Sequence, residues 1–355
     1  MNTNENSGKA AIPEMQSENS NFSETSAEQS MITPEKINEH FNQLTKQMPE
    51  QVGFFTVRTA NQCLKDAKAQ PIPRDLYCSL LFEGEITILF ANTGVGKTIL
   101  SVQIGNEIAK ENKVLYFDLE LSDKQFQKRY SENYQSEFIF NDNFIRICFA
   151  RPLIVPDGKT YEDYFIDSLR AIINSTGARI VIIDNMTALI SGDTDKARIA
   201  KPLMDTLQNL KFEYNLSLLL LEHTRKTDPT KPIHLNDMQG SKMKSNFADA
   251  IFSIGESAKD KSMRYVKQLK VRSGENYYHS DNVIVYEIVK EDSFTRFRLI
   301  EYGTESDHLK ELTAEDKANK KKDAFDLKAD GLSNREIARR LFVSEGAVRK
   351  WLKTQ

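Results

Sequence analysis

The segment Ala91-Asn92-Thr93-Gly94-Val95-Gly96-Lys97-Thr98 constrains this chain more than any other stretch. It comes after an apolar run over 86–90, strand-like in length, and opens a segment over 98–110 whose apolar residues recur at helical spacing. Small residues between a strand and a helix let backbone N–H groups curl around phosphate oxygens, and the helix N-terminus adds a favourable dipole. Lys97 supplies a cation for β- and γ-phosphates, the Thr98 hydroxyl is a ligand for Mg²⁺, and Ile99 completes the phosphate-binding stretch. Ala91 stands at the first position, where Gly is commoner.

Beyond this loop the chain alternates between the two periods. Strands are expected over 113–118, 144–150, 179–184 and 217–221, with helices over 161–173 and 199–214 between them. Near-continuous apolar strands separated by helices imply a parallel sheet covered on both faces. After Ala248 the pattern changes to strands alone, over 250–254, 263–271, 282–289 and 295–300, read as antiparallel hairpins extending the sheet.

The ends differ from this body. Residues 1–50 hold three Lys against eight Glu, whereas residues 317–355 hold eleven Lys and Arg against five Asp and Glu. Residues 1–32 are polar and without periodicity, so a disordered acidic head is expected. Thr33-Pro34-Glu35-Lys36 starts a short helix to about Met48, and 33–80 is read as this helix with a packed connector. The main domain is placed at 81–300, a charged linker at 301–312 and a small helical unit at 313–355. Three widely spaced cysteines (Cys63, Cys78, Cys148) argue against a disulfide framework, and no run reaches the roughly 18 apolar residues of a membrane helix. With a polar start, Met1 to Lys9, the expectation is a cytoplasmic protein without membrane contact.

Strand ends supply further candidates. Asp184 closes Ile180-Val-Ile-Ile-Asp184, so its carboxylate emerges at the C-terminal edge, where open α/β sheets bind ligands, and would hold the Mg²⁺ shell. Leu115-Tyr-Phe-Asp-Leu-Glu120 puts two acids near the same edge. Glu120 is read as the group that polarises a water, with a helix-cap role as the alternative, and Asp118 falls inside the strand register. His223, at the end of the next strand, is placed to sense a γ-phosphate.

Together A-N-T-G-V-G-K-T at 91–98, Y-F-D-L-E at 116–120, V-I-I-D at 181–184 and L-L-L-E-H-T-R-K at 219–226 resemble the RecA-like P-loop ATPases, over about residues 50–300. The nearest branch is that of plasmid RepA-type and DnaB-type helicases. The resemblance implies an α/β fold with a parallel core sheet and antiparallel extension, ATP and Mg²⁺ as ligands, and a homo-oligomer, a hexameric ring, with ATP sites between subunits. Lys270 and Arg272, in V-K-Q-L-K-V-R-S-G at 266–274, are similar to the basic fingers that reach a neighbour's γ-phosphate. Lys242 and Lys244, in G-S-K-M-K-S at 240–245, look like the mobile loop that touches DNA in the ring channel.

The C-terminal stretch 331–352 is similar to resolvase- and transposase-type helix-turn-helix units. Ser333 with Glu336 forms a capping box, Ser344 caps the second helix, and Phe342 stands where Gly is usual in the turn. Arg349, Lys350 and Lys353 would then reach DNA, with Lys320, Lys321 and Lys322 touching its backbone. The resulting expectation is an ATPase acting on single- or double-stranded DNA in replication, mobilisation or recombination of a mobile element. The alternatives are an ATP-gated DNA-binding regulator and an ATPase scaffold for a protein partner.

Overall fold

The computed structural model describes residues 33–36, 39, 51–189, 197–225, 227–311, 314–341 and 343–353, without the side chains of 197–200, 241 and 242. The head expected at 1–32 lies outside the described residues. So does most of the helix expected to run to Met48, of which 34–36 and 39 are helical.

The chain divides into two compact units, Met1–Ile72 and Pro73–Gln355. In the first, Gln51–Val52 pairs with Phe55–Thr56, and a helix over Ala60–Lys68 is capped by the Thr59 hydroxyl, which accepts from Gln62 N. No residue of that helix is buried, and Phe54, Leu64 and Ile72 are exposed. The packed connector expected over 50–80 is therefore corrected for its first part, whose few apolar groups enclose none of one another, whereas in the second unit Leu76, Tyr77 and Leu80 of the same stretch do pack against the core.

The second unit is built on nine strands. They are β1 (Ile86–Ala91), β2 (Val114–Asp118), β3 (Phe144–Ile147), β4 (Ile180–Asp184), β5 (Ser217–His223), β6 (Ala250–Glu256), β7 (Met263–Val271), β8 (Val283–Glu291) and β9 (Phe294–Gly303). Their order is β9-β8-β7-β6-β1-β5-β4-β2-β3. The pairings from β6 through β3 are parallel, and β7, β8 and β9 add antiparallel hairpins. This is the parallel core sheet with an antiparallel extension expected from the strand pattern.

Alternate residues of the central strands enter separate cores. Leu89, Tyr116, Ile182 and Leu219 pack with α1 (Lys97–Ile108) on one face. Ile88, Leu115, Val181 and Leu218 pack on the other with Phe165, Leu169 and Ile173 of α3 (Tyr161–Thr176) and Met204 and Leu207 of α4 (Ala197–Tyr214). A short helix, α2 (Asp123–Arg129), comes after β2. Burial on both faces explains why these strands read as unbroken apolar runs rather than alternating ones.

The linker expected at 301–312 is also corrected. β9 continues to Gly303 and leads into a 3₁₀ turn, Glu305–His308, in which Glu305 and His308 are buried. Glu305 accepts from Lys267 Nζ (2.6 Å), Ile233 N (2.7 Å) and the Ser280 hydroxyl (3.0 Å), so a charge that suggests a solvated linker is paired inside the unit.

Four further helices are α5 (Ser241–Phe247), α6 (Ala314–Ala329), α7 (Asn334–Leu341) and α8 (Glu345–Leu352). The last three enclose a small core of Ala324, Ile337, Ala338 and Val348. Ser333 and Glu336 cap α7 reciprocally, Ser344 Oγ accepts from Ala347 N, and Phe342 lies outside the described residues. Among the described residues no helix is long and apolar enough to cross a membrane.

Gly105 lets α1 lie close against side chains of β3 and β4. A Cβ there would stand 2.6 Å from a Phe144 ring carbon and 3.0 Å from Ile182 Cδ1. Gly105→Val is expected to cost about 1–3 kcal/mol through overpacking, read as a lower urea midpoint with an unchanged slope.

Candidate functional site

The loop between β1 and α1 is shaped by its glycines. Gly94 and Gly96 have φ of 83° and 114°, and Gly96 is also crowded, a Cβ there lying 2.9 Å from the Phe297 ring. Only glycine satisfies both conditions. The loop is held from the hairpin side by buried Arg264, whose Nε donates to Val95 O at 2.9 Å.

Lys97 is 7% exposed, and its Nζ donates to Ala91 O (2.8 Å) and Asn92 O (3.1 Å). Burial lowers its pKa, while the charges of Asp184, Glu120 and Glu222 oppose that shift. The buried ammonium meets neutral carbonyls of the loop, an arrangement suited to exchange them for an anion.

Thr98, in the first turn of α1, donates to Asp184 Oδ2 at 2.6 Å, and Tyr116 OH donates to the same oxygen at 3.0 Å. Asp184 is 1% exposed, and burial pushes its pKa to about 6, opposed by the hydroxyls of Thr98 and Tyr116. A hydroxyl and a desolvated carboxylate, side by side beside the phosphate loop, form an all-oxygen donor pair that fits Mg²⁺.

Glu120, Asn185 and His223 come together from the ends of three adjacent strands. Asn185 Nδ2 contacts Glu120 Oε1 and lies 2.9 Å from His223 Nε2, and His223 Nε2 is 3.7 Å from Glu120 Oε1. Asn185 is fixed by its own Oδ1, which accepts from Thr187 N at 3.0 Å. The neighbouring His223 imidazole holds Glu120 below the usual carboxylate pKa against the effect of burial, helped by the charge of Lys97, so Glu120 is ionised and able to accept a proton. Asp118 is occupied elsewhere. Arg146 Nε donates to its Oδ2 at 2.8 Å and Leu121 N to its Oδ1 at 3.0 Å.

Two expected residues lie away from this edge. Lys270 pairs with Ile251 across from Ile88, so the end of β7 reaches the edge opposite the phosphate loop. There Lys270 Nζ donates to Ser245 O and Ala248 O, and Arg272 donates to Asp249 Oδ1 at 2.8 Å. Neither residue reaches the phosphate loop of its own chain. Lys244 is a correction. The expected basic loop is helix α5, and Lys244 is 1% exposed, ion-paired with fully buried Glu222, so it is not available to DNA. The Lys242 side chain lies outside the described residues. Arg349, Lys350 and Lys353 line an open concavity on α8 with Gly346, where Arg349 also pairs with Glu345 at 2.6 Å.

Sequence reasoning missed Asn185, Tyr116 and Arg264. Asn185 comes directly after Asp184 at a strand end, which was a usable signal. Tyr116 and Arg264 sit inside strand patterns and carry no local mark.

Residues 56–229 match the family model described as AAA domain, a span that contains the phosphate loop, Glu120, Asp184 and His223. No curated protein matches the chain significantly. Among solved structures, a KaiC-like protein from the hyperthermophilic archaeon Pyrococcus horikoshii is 15% identical with a TM-score of 0.43, covering 61% of this chain and 90% of that one. The family match supports a P-loop ATPase.

Glu120→Gln is expected to lower kcat for ATP hydrolysis by roughly 10²–10⁴ while nucleotide affinity stays near that of the parent protein. Titration calorimetry beside a phosphate-release assay checks both. Equal loss of binding would move Glu120 out of the chemical step.

Proposed function

We propose that this protein is an oligomeric ATPase that hydrolyses ATP to ADP and phosphate while acting on DNA. The observation that carries the hydrolytic part is the convergence of Lys97, Thr98, Asp184 and Glu120 on one sheet edge, beside a loop whose N–H groups open α1.

The backbone of the 91–98 loop and Lys97 bind the β- and γ-phosphates, with Lys97 leaving its carbonyl partners to do so. Thr98 and Asp184 would hold Mg²⁺, which when bound neutralises charge developing on the phosphate oxygens. Glu120 orients the attacking water and accepts its proton. Asn185, touching both Glu120 and His223, lets His223 report on the phosphate end of the site. Lys270 and Arg272, which lie at the sheet edge away from their own phosphate loop, are assigned to the site of an adjacent subunit in a ring, where they would leave their present partners to meet the γ-phosphate.

The DNA part rests on α8. Three basic side chains share one open concavity on a three-helix cluster with capped α7 and α8, and such a surface meets phosphates first and base edges second. A single copy would bind weakly, and several copies on one oligomer gain by avidity. The role assigned is replication, mobilisation or recombination of a mobile element.

The combined substitution of Arg349, Lys350 and Lys353 by Ala is expected to weaken duplex binding and to flatten the salt dependence by about 0.9 in log–log slope for each phosphate no longer neutralised. ATP turnover without DNA should be unaffected. Unchanged affinity at low salt would remove α8 from the DNA interface and favour a protein-docking role for the cluster.

A further inference from the structure

The phosphate loop is joined to the C-terminal helices by side chains that hydrolysis does not use. Asn92, second in the loop, accepts at its main-chain oxygen from Lys97 Nζ at 3.1 Å. Its Oδ1 accepts from the Thr224 hydroxyl, and its Nδ2 donates to Thr227 Oγ1 at 2.9 Å. Both threonines come after β5, and Thr224 is next to His223. A cleft of about 250 Å³ lies against these residues and extends past Asp228.

Asp228 is the residue after Thr227. Its Oδ1 accepts from Thr230 N and Oγ1 at 3.0 and 2.8 Å, which sets the turn. Its Oδ2 is buried without a hydrogen bond and faces Lys320 Nζ of α6 at 3.8 Å and Lys231 Nζ at 3.9 Å. The Asp228 side chain is 5% exposed and that of Lys320 22%, so this pair is less screened than a surface pair. Pro229 O also accepts from Lys310 N at 2.9 Å, on the stretch that leads to α6.

We propose that Asn92, Thr227, Asp228 and Lys320 couple the nucleotide state of the phosphate loop to the placement of the C-terminal helices. The inference rests on the P-loop reading above and adds its regulation. Two arrangements of Lys97 drive it. With Nζ on the carbonyls of Ala91 and Asn92, the loop holds Asn92 against both threonines. With Nζ drawn to a phosphate, the Asn92 carbonyl gives up its donor and the Asn92 peptide is free to shift. That movement passes through Thr227 to the adjacent Asp228 and alters its pairing with Lys320. A ligand with different affinity for two arrangements must shift their populations, and the effect is reciprocal.

The test is hydrogen exchange of the full chain across 314–329, with and without a non-hydrolysable ATP analogue and Mg²⁺, after calorimetry has measured analogue binding. The parent protein is expected to bind and to change its exchange in 314–329 on the order of fivefold. Asp228→Asn and Lys320→Met, one from each side of the ion pair, should each still bind the analogue and lose most of that response. Binding by the parent protein with no change in 314–329 overturns the coupling and leaves the P-loop reading intact. So does a full response in either variant. No binding by the parent protein overturns both.

Discussion

The hydrogen bond from Thr98 to Asp184 is the interaction on which the rest depends. It ties the first turn of α1 to the end of β4, and Tyr116 secures the same oxygen from β2. The carboxylate is desolvated, and its pKa rises to about 6 because burial outweighs the two hydroxyl donors. Such a group is costly to bury unless its environment supplies partners. Here those partners place a hydroxyl and a carboxylate beside the phosphate loop, so the feature that strains the core is also the one suited to a hard cation.

The architecture keeps that edge in register. Parallel pairing aligns the C-terminal ends of β1, β5, β4 and β2, and from those ends come Lys97, His223, Asp184 with Asn185, and Glu120. Two apolar cores, one on each face, make the central strands rigid. The antiparallel hairpins have a second role. Arg264 at the start of β7 holds Val95, and Phe297 of β9 closes over Gly96, so the extension of the sheet supports the loop that faces away from its centre.

The strands, α1 and the phosphate loop were legible in the sequence because their signals are local: apolar runs of strand length, helical spacing, and a glycine pattern between them. Asp184 was legible for the same reason, at the end of I-V-I-I-D. The features that stayed hidden depend on residues distant in the chain. Lys244 looked like a free basic residue, yet Glu222 draws it into the core from a separate strand. The acids after Ile300 looked solvated, yet Glu305 meets Lys267 inside the unit. A one-dimensional charge run says nothing about whether its partner lies across the sheet. Lys270 and Arg272 illustrate a further limit, since the motif around them carries no sign that they lie at the sheet edge opposite the phosphate loop.

The central claim is that this edge turns over ATP in an assembly that engages DNA. It is tested most directly by steady-state phosphate release from the purified full chain, measured across protein concentration with no DNA, single strands and duplex. The account predicts specific activity that climbs steeply with protein concentration, as sites between subunits require, and that rises again when DNA is added. Specific activity independent of concentration and indifferent to either DNA would contradict it.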